Sequence, residues 1–397
     1  MAGVFQTFLR LGLTSFGGPT AHLGYFRREF VERAGWIDEA TFAGLVAFCS
    51  VLPGPTSSQV GMLIGLIRGG AAGAFLAWLG FTAPSAIALT ALALALRALE
   101  ATSVVGAGWF TGLLTGLTAA AAAVVAQAVQ ALARSLCPDR ETQTVAIGAA
   151  ILTIALGQTA GLQWMPIALG ALAGTLFMRR SGAEIDVLPL PFDVPRSVSL
   201  AAGALFILVV AALFVPVRAF SAPLALVETV ARAGSLVFGG GHVVLPLLQS
   251  LVDDGLVDGR TFFAGYGLTQ AMPGPLFTFA AFLGAANTSP LTGVAGALVA
   301  TVVIFVPSFA LVFALAPGWN GVRALPGATA ALRGANAAVV GLLGGVLYHP
   351  ILTSLAAHGS AIAVALAAYA LVAVWKVPPW IVVAISGGLG ALAGAVS

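Results

Sequence analysis

Two sets of residues able to do chemistry lie inside apolar sequence, and each is a copy of the other. Arg10, Phe16-Gly17-Gly18-Pro19, His22 and Pro53-Gly54-Pro55 make up the first. Arg232, Phe238-Gly239-Gly240-Gly241, His242 and Pro273-Gly274-Pro275 make up the second, about 220 residues later. A guanidinium presents paired donors that match an oxyanion. A histidine donates to an anion or relays a proton, so His22 and His242 are candidates for both tasks; capping a short helix is the plainer alternative. Thr56, Ser57, Ser58, Gln59, Thr278 and Asn336 add neutral donors that would complete an anion shell. No carboxylate is expected deep in the core spans; the nearest is Glu228, one helical turn before Arg232 and replaced by Gln6 in the first copy. A cation carrier would be expected to bury Asp or Glu, so the balance favours an anion. Two other readings of the arginines stay open: snorkelling to an interface, or pairing of Arg232 with Glu228.

Groups of this kind need elements that break inside a membrane. Proline lacks an N–H and clashes with the preceding turn, so Pro-Gly-Pro stops one helix, and proline fits the start of the next. The new helices open with Thr56-Ser57-Ser58-Gln59 and Leu276-Phe277-Thr278. Their free N–H groups and positive dipole ends suit a small anion. The glycine turns let another backbone approach closely. A break within the bilayer is tolerated only where that backbone is buried in protein or lines a wet cavity.

Composition fixes the class. The chain is 59% hydrophobic and 8% charged, with mean hydropathy +1.04, against roughly 25% charged residues in soluble domains. Apolar runs recur at 71–96, 104–133, 143–157, 161–178, 199–217, 291–316, 334–348, 359–375 and 377–396. Several reach the ~20 residues that span a bilayer. The expected fold is an all-α polytopic membrane protein, with membrane lipid as its surroundings. A net charge of +3 without a basic patch gives no nucleic-acid signal. Cys49 and Cys137 make neither a disulfide framework nor a metal site. No cleavable signal is expected at the N-terminus, and no cofactor is expected.

Loop charges describe an inverted repeat. Arg27, Arg28 and Arg33 follow the first motif, whereas Asp253, Asp254 and Asp258 follow the second. Basic loops mark the cytoplasmic side, so matched loops lie on opposite faces. Segment 199–217 has no twin and reads as one extra transmembrane helix joining the homologous halves. The parity works if segment 40–67 is re-entrant, bending at Pro53-Gly54-Pro55. The expected organisation is therefore a repeat over 1–180, a linker and connecting helix over 181–221, and the inverted repeat over 222–397. Broken segments in matching positions of two halves are a signature of secondary transporters.

The run Leu13-Thr14-Ser15-Phe16-Gly17-Gly18-Pro19-Thr20-Ala21-His22-Leu23-Gly24, continuing through Phe26-Arg27-Arg28-Glu29-Phe30, resembles the N-terminal signature of the chromate ion transporter family. Leu52 to Gly61 continues it, and Phe238 to Leu248 with Gln270 to Thr278 resemble its C-terminal counterpart. The resemblance implies a bacterial inner-membrane protein that moves chromate, generally outwards, and confers chromate resistance. One departure is visible: Thr118 stands where the family often carries a Lys or Arg, and its counterpart by repeat alignment is Asn336, beside Arg333. Sulfate is a tetrahedral dianion of similar size, so sulfate or general oxyanion exchange is the runner-up. An enzyme would need paired acids, a metal cluster or a nucleophile beside a base, and none is apparent. Glu228, His22 and His242 are the coupling candidates. A homodimer is compatible with this reading.

Overall fold

The structure, a computed structural model, describes residues 2–100, 107–156, 164–178, 194–215, 217–238, 241–318, 328–356 and 359–396. The linker part of the expected segment 181–221 falls largely outside these residues, as do Arg179, Arg180, Gly239, Gly240 and residues 101–106, 157–163 and 319–327.

Every regular element among the described residues is helical. The first half runs α1 (Ala2–Thr14), α2 (Gly18–Phe26), α3 (Glu39–Val51), α4 (Thr56–Glu100), α5 (Gly108–Leu136), α6 (Arg140–Leu156) and α7 (Met165–Phe177). After α8 (Arg196–Ala212), the second half runs α9 (Ala222–Leu236), α10 (Val244–Leu248), α11 (Ser250–Asp253), α12 (Gly259–Gln270), α13 (Phe279–Ala286), α14 (Gly293–Leu315), α15 (Ala328–Val346), α16 (Thr353–Ala356), α17 (Gly359–Tyr369) and α18 (Pro379–Val396).

Local chemistry sets matching helix starts. Asp38 caps α3, its carboxylate accepting from the Thr41 N–H at 2.7 Å. Asp258 caps α12 by accepting from the N–H groups of Arg260 and Thr261. A capping aspartate satisfies amides that the first turn leaves unpaired. The Thr41 amide also holds the Asp38 carboxyl below its ordinary range.

Each half then folds a helical hairpin. Within α4 the backbone leaves helical geometry at Gly69 (φ −158°) and Gly70 (φ 61°). The two limbs lie so close that a Cβ on Gly65 would sit 2.4 Å from the Gly73 carbonyl oxygen. In the second half α13 and α14 fold back on each other, and a Cβ on Gly284 would sit 2.3 Å from the Gly296 carbonyl oxygen. Asn287 closes that turn by donating to the carbonyls of Gly284 and Leu291.

The halves also exchange packing partners. α5 lies against α17 and α18 of the second half, while α15 lies against α6 and α7 of the first. Small residues make both seams: a Cβ on Gly112 would sit 2.1 Å from the Gly390 carbonyl oxygen, and one on Gly334 would sit 2.0 Å from that of Gly170. In lipid, helices associate through such close backbone approach, because burial of apolar side chains offers little gain.

Among the described residues five helical segments are long and apolar enough to cross a membrane: Thr56–Glu100, which folds back at Gly69-Gly70, Gly108–Leu136, Gly293–Leu315, Thr329–Ala356 and Pro379–Val396. The runs at 161–178, 199–217 and 359–375 form shorter apolar helices, Met165–Phe177, Arg196–Ala212 and Gly359–Val374. Large apolar side chains such as Ile147, Phe177, Leu200, Leu298 and Leu392 are exposed on the outside of the bundle. That surface suits lipid rather than water.

Candidate functional site

Both Pro-Gly-Pro segments break the chain where the residue types require it. After α3, Leu52 turns extended (φ −86°, ψ 145°) and Gly54 takes φ 120°, a left-handed value that favours glycine. α4 starts at Thr56. Gln59 donates from Nε2 to the Pro53 carbonyl at 2.7 Å, satisfying an acceptor that the break leaves open. At the second break Gly274 takes φ 97°. Here Leu276–Thr278 form a single 3₁₀ turn before α13, rather than the α-helical start expected from the first copy. The Thr278 hydroxyl donates to the Pro275 carbonyl at 2.7 Å. Phe279 stands where the first copy has Gln59, and the carbonyl that Thr278 takes, that of Pro275, is the counterpart of Pro55 rather than of Pro53.

The two breaks cross. Gly54 of the first half donates its N–H to the Val237 carbonyl at 2.7 Å, and Gly274 of the second donates to the Ser15 carbonyl at 3.0 Å. Ser15 and Val237 are equivalent residues, each immediately before a Phe-Gly-Gly turn. Each break therefore binds the backbone residue that precedes the Phe-Gly-Gly motif of the opposite half. Two further reciprocal approaches surround the crossing. A Cβ on Gly54 would lie 2.6 Å from Ser308 Oγ, and one on Gly274 would lie 2.8 Å from Ser85 Oγ. Gly12 abuts the Phe81 carbonyl oxygen (2.8 Å to a Cβ) and Gly234 abuts that of Ile304 (2.2 Å).

Gly17, Gly18 and Gly241 belong to the same neighbourhood as the histidines. Gly17 and Gly18 take φ 101° and 75°, and a Cβ on Gly18 would lie 4.0 Å from His242 Nε2. Gly241 packs on Leu276. His22 is buried, with Nδ1 3.2 Å from Ser57 Oγ and Nε2 3.2 Å from the Ser15 carbonyl oxygen. The Ser15 carbonyl therefore meets both His22 and Gly274. His242 Nδ1 lies 3.0 Å from the Tyr266 hydroxyl. Tyr266 is fully buried and was not anticipated, because it has no counterpart in the first half to mark it. Phe16 packs against Trp380 of α18 with ring centroids 6.4 Å apart.

Hydroxyls and amides around the crossing are unevenly satisfied. The side-chain oxygens Ser15 Oγ, Ser58 Oγ, Gln59 Oε1 and Ser308 Oγ are buried without a hydrogen-bond partner, as is Asn336 Oδ1 on α15. Thr118, the counterpart of Asn336, donates to the Leu114 carbonyl of its own helix at 2.9 Å.

The arginines are brought to carboxylates. Arg10 pairs with Glu29 at 2.5 Å while its side chain stays 45% exposed, and Glu29 also takes Arg33. Arg232 is buried, 2.5 Å from Glu228, and donates to the Leu213 carbonyl. Arg218 reaches the same Glu228 at 3.3 Å and Asp254 at 3.6 Å. Of the readings open for Arg232, the pair with Glu228 is the one present in the structure. Arg333 meets Asp139 across the halves at 2.7 Å. Hydrogen bonds from Thr142, and Arg333 beside it, hold the Asp139 carboxyl below its ordinary range.

Repeated broken helices with apolar flanks define a multi-pass α-helical membrane protein in which the two halves interlock at the breaks. The chain belongs to the chromate transporter family, whose profile matches residues 2–175 and 224–391. It is 30% identical over 344 residues to a chromate transport protein of Pseudomonas aeruginosa, covering 86% of this chain and 79% of that one. It is 25% identical over 349 residues to a chromate transport protein of Cupriavidus metallidurans, covering 86% and 80%. An uncharacterized transporter of Methanocaldococcus jannaschii is 27% identical over 331 residues, covering 81% and 77%. No solved structure matches the chain.

Proposed function

We propose that this protein is a secondary carrier of chromate across the bacterial inner membrane, working in efflux and so conferring chromate resistance. The observation that carries this reading is the reciprocal crossing, Gly54 to Val237 and Gly274 to Ser15. Two helix breaks held by opposite halves form a junction whose opening towards either face would expose the same backbone donors. The anion would sit near the midplane, held by the start of α4 with Ser57 and Ser58, by the turn before α13 with Thr278, and by His22 and His242. Oriented N–H groups and hydroxyls in a low-dielectric setting suit a small oxyanion. Arg10 and Arg232 would contribute positive field from within their ion pairs. Glu228, His22 and His242 are the groups available to couple a proton.

The same reading takes the halves, 1–180 and 222–397, as inverted repeats with re-entrant segments, joined by a linker and extra helix over 181–221. The charge reversal between the loop of Arg27, Arg28 and Arg33 and that of Asp253, Asp254 and Asp258 supports it.

Uptake of labelled chromate into proteoliposomes, driven by a pH gradient with sulfate as competitor, tests the proposal. Uptake accelerated by the gradient and barely inhibited by sulfate is expected. Equal inhibition by sulfate would make the protein a general oxyanion exchanger, and absence of uptake would overturn the carrier reading.

A further inference from the structure

We infer that the Ser308 hydroxyl is a direct ligand of the transported oxyanion, an inference that rests on the carrier reading above and adds to it a residue outside the Pro-Gly-Pro and Phe-Gly-Gly motifs. Ser308 follows Pro307 in the middle of α14 and is fully buried. Its Oγ points at the first break, where a Cβ on Gly54 would lie 2.6 Å away. The residue therefore comes from the second half and faces the broken backbone of the first.

The argument turns on where hydroxyls in this chain send their protons. A buried Ser or Thr within a helix ordinarily donates to the carbonyl one turn back. Thr118, Thr269 and Thr301 do so, to Leu114, Gly265 and Ala297. Ser85, the counterpart of Ser308, donates to the Thr82 carbonyl at 3.2 Å. Ser308 alone of this pair has no partner. The carbonyl one turn behind it belongs to Ile304, which is pressed by the backbone of Gly234. Leaving a buried hydroxyl unpaired costs about 1–3 kcal/mol, and a position needed only for close packing would be served by alanine.

Ser58 strengthens the assignment. It lies in the first turn of α4, four residues after Gly54, and its hydroxyl is likewise buried and unpartnered. Two free hydroxyl donors, one from each half, thus accompany the N-terminus of α4 at one break. The third polar group there, Gln59 Oε1, is an acceptor and gives nothing to an unprotonated dianion. Its amide nitrogen is held by Pro53. With Ser57 Oγ already 3.2 Å from His22 Nδ1, Ser308 and Ser58 bring the buried, unpartnered hydroxyls to this break. A tetrahedral dianion would take the Ser308 and Ser58 protons on two of its oxygens, with α4 amides on the others.

The test measures binding of sulfate and of chromate to purified full-length protein in detergent, for wild type, Ser308→Ala and Ser85→Ala, alongside melting temperatures. A hydrogen bond to a charged group carries roughly a tenfold or larger affinity effect. Ser308→Ala should weaken binding of both anions by that factor with a melting temperature no lower than that of wild type, while Ser85→Ala binds within about twofold of wild type. Ser308→Ala binding like wild type would overturn the inference. Equal weakening in both variants would also overturn it, because the serines would then act only as spacers between helices. Failure of wild type to bind either anion is a separate result, and it would remove the carrier reading together with the ligand.

Discussion

The first and second halves agree at the crossing and disagree at the arginines. At the crossing, equivalent residues make equivalent contacts: Gly54 to Val237 and Gly274 to Ser15, with Ser308 and Ser85 behind them. At the arginines, Arg10 sits half exposed against Glu29, a residue from a different helical turn of the chain. Arg232 is buried against Glu228 of its own helix, with Arg218 and Asp254 alongside. Backbone breaks and glycine approaches are shared, whereas the ionic partners are not. If the halves are inverted repeats of a carrier, as proposed, the shared part is what transport needs alike on both faces of the membrane, and the unshared part is free to differ between them.

The largest expected effect tests the shared part. Gly54→Ala and Gly274→Ala each place a Cβ on a residue with left-handed φ (120° and 97°), within 2.8 Å of a serine hydroxyl from the opposite half. Strain of that kind costs about 1–3 kcal/mol, and it falls on the junction itself. Both variants should lose transport almost completely while still inserting in the membrane, as proteoliposome uptake and expression would record. Loss in one with full activity in the other would break the equivalence of the two crossings.

A second comparison sharpens the difference between the arginines. Glu228→Gln leaves buried Arg232 and Arg218 without their shared carboxylate. Breaking a buried pair costs about 3–5 kcal/mol, so the detergent melting temperature should fall clearly. Glu29→Gln loosens a pair whose arginine is largely solvated, worth less than about 1 kcal/mol, and should barely move it. Equal shifts in the two variants would contradict the asymmetry.

The breaks were legible in the sequence because only proline and glycine supply them, and their duplication made the signal specific. The hairpin turn at Gly69-Gly70 falls between the apolar segments 40–67 and 71–96, so it too left a trace. The crossing itself left none. Gly54 and Gly274 are bound by carbonyl oxygens, and any residue type offers a carbonyl, so nothing in Ser15 or Val237 announces the contact. The exchange of α5 and α15 between halves was similarly silent. The four-residue spacing of Gly108, Gly112 and Gly116 announces a close helix partner, but not which helix that partner is. The ion pair of Arg232 with Glu228 was readable from its one-turn spacing. That of Arg10 with Glu29 was not, since they lie 19 positions apart with a glycine turn between them.

The measurement that tests the central claim most directly is the sidedness of the two equivalent loops. Single cysteines would be introduced as Arg33→Cys and as Asp254→Cys, in a background where Cys49 and Cys137 are replaced by alanine. Each would be labelled in intact cells with a membrane-impermeant thiol reagent, with and without permeabilisation. Inverted halves predict that the cysteine at 254 labels in intact cells and the one at 33 only after permeabilisation. Labelling of both from the same face would contradict the inverted repeat, and with it the account of one anion site reached from two sides.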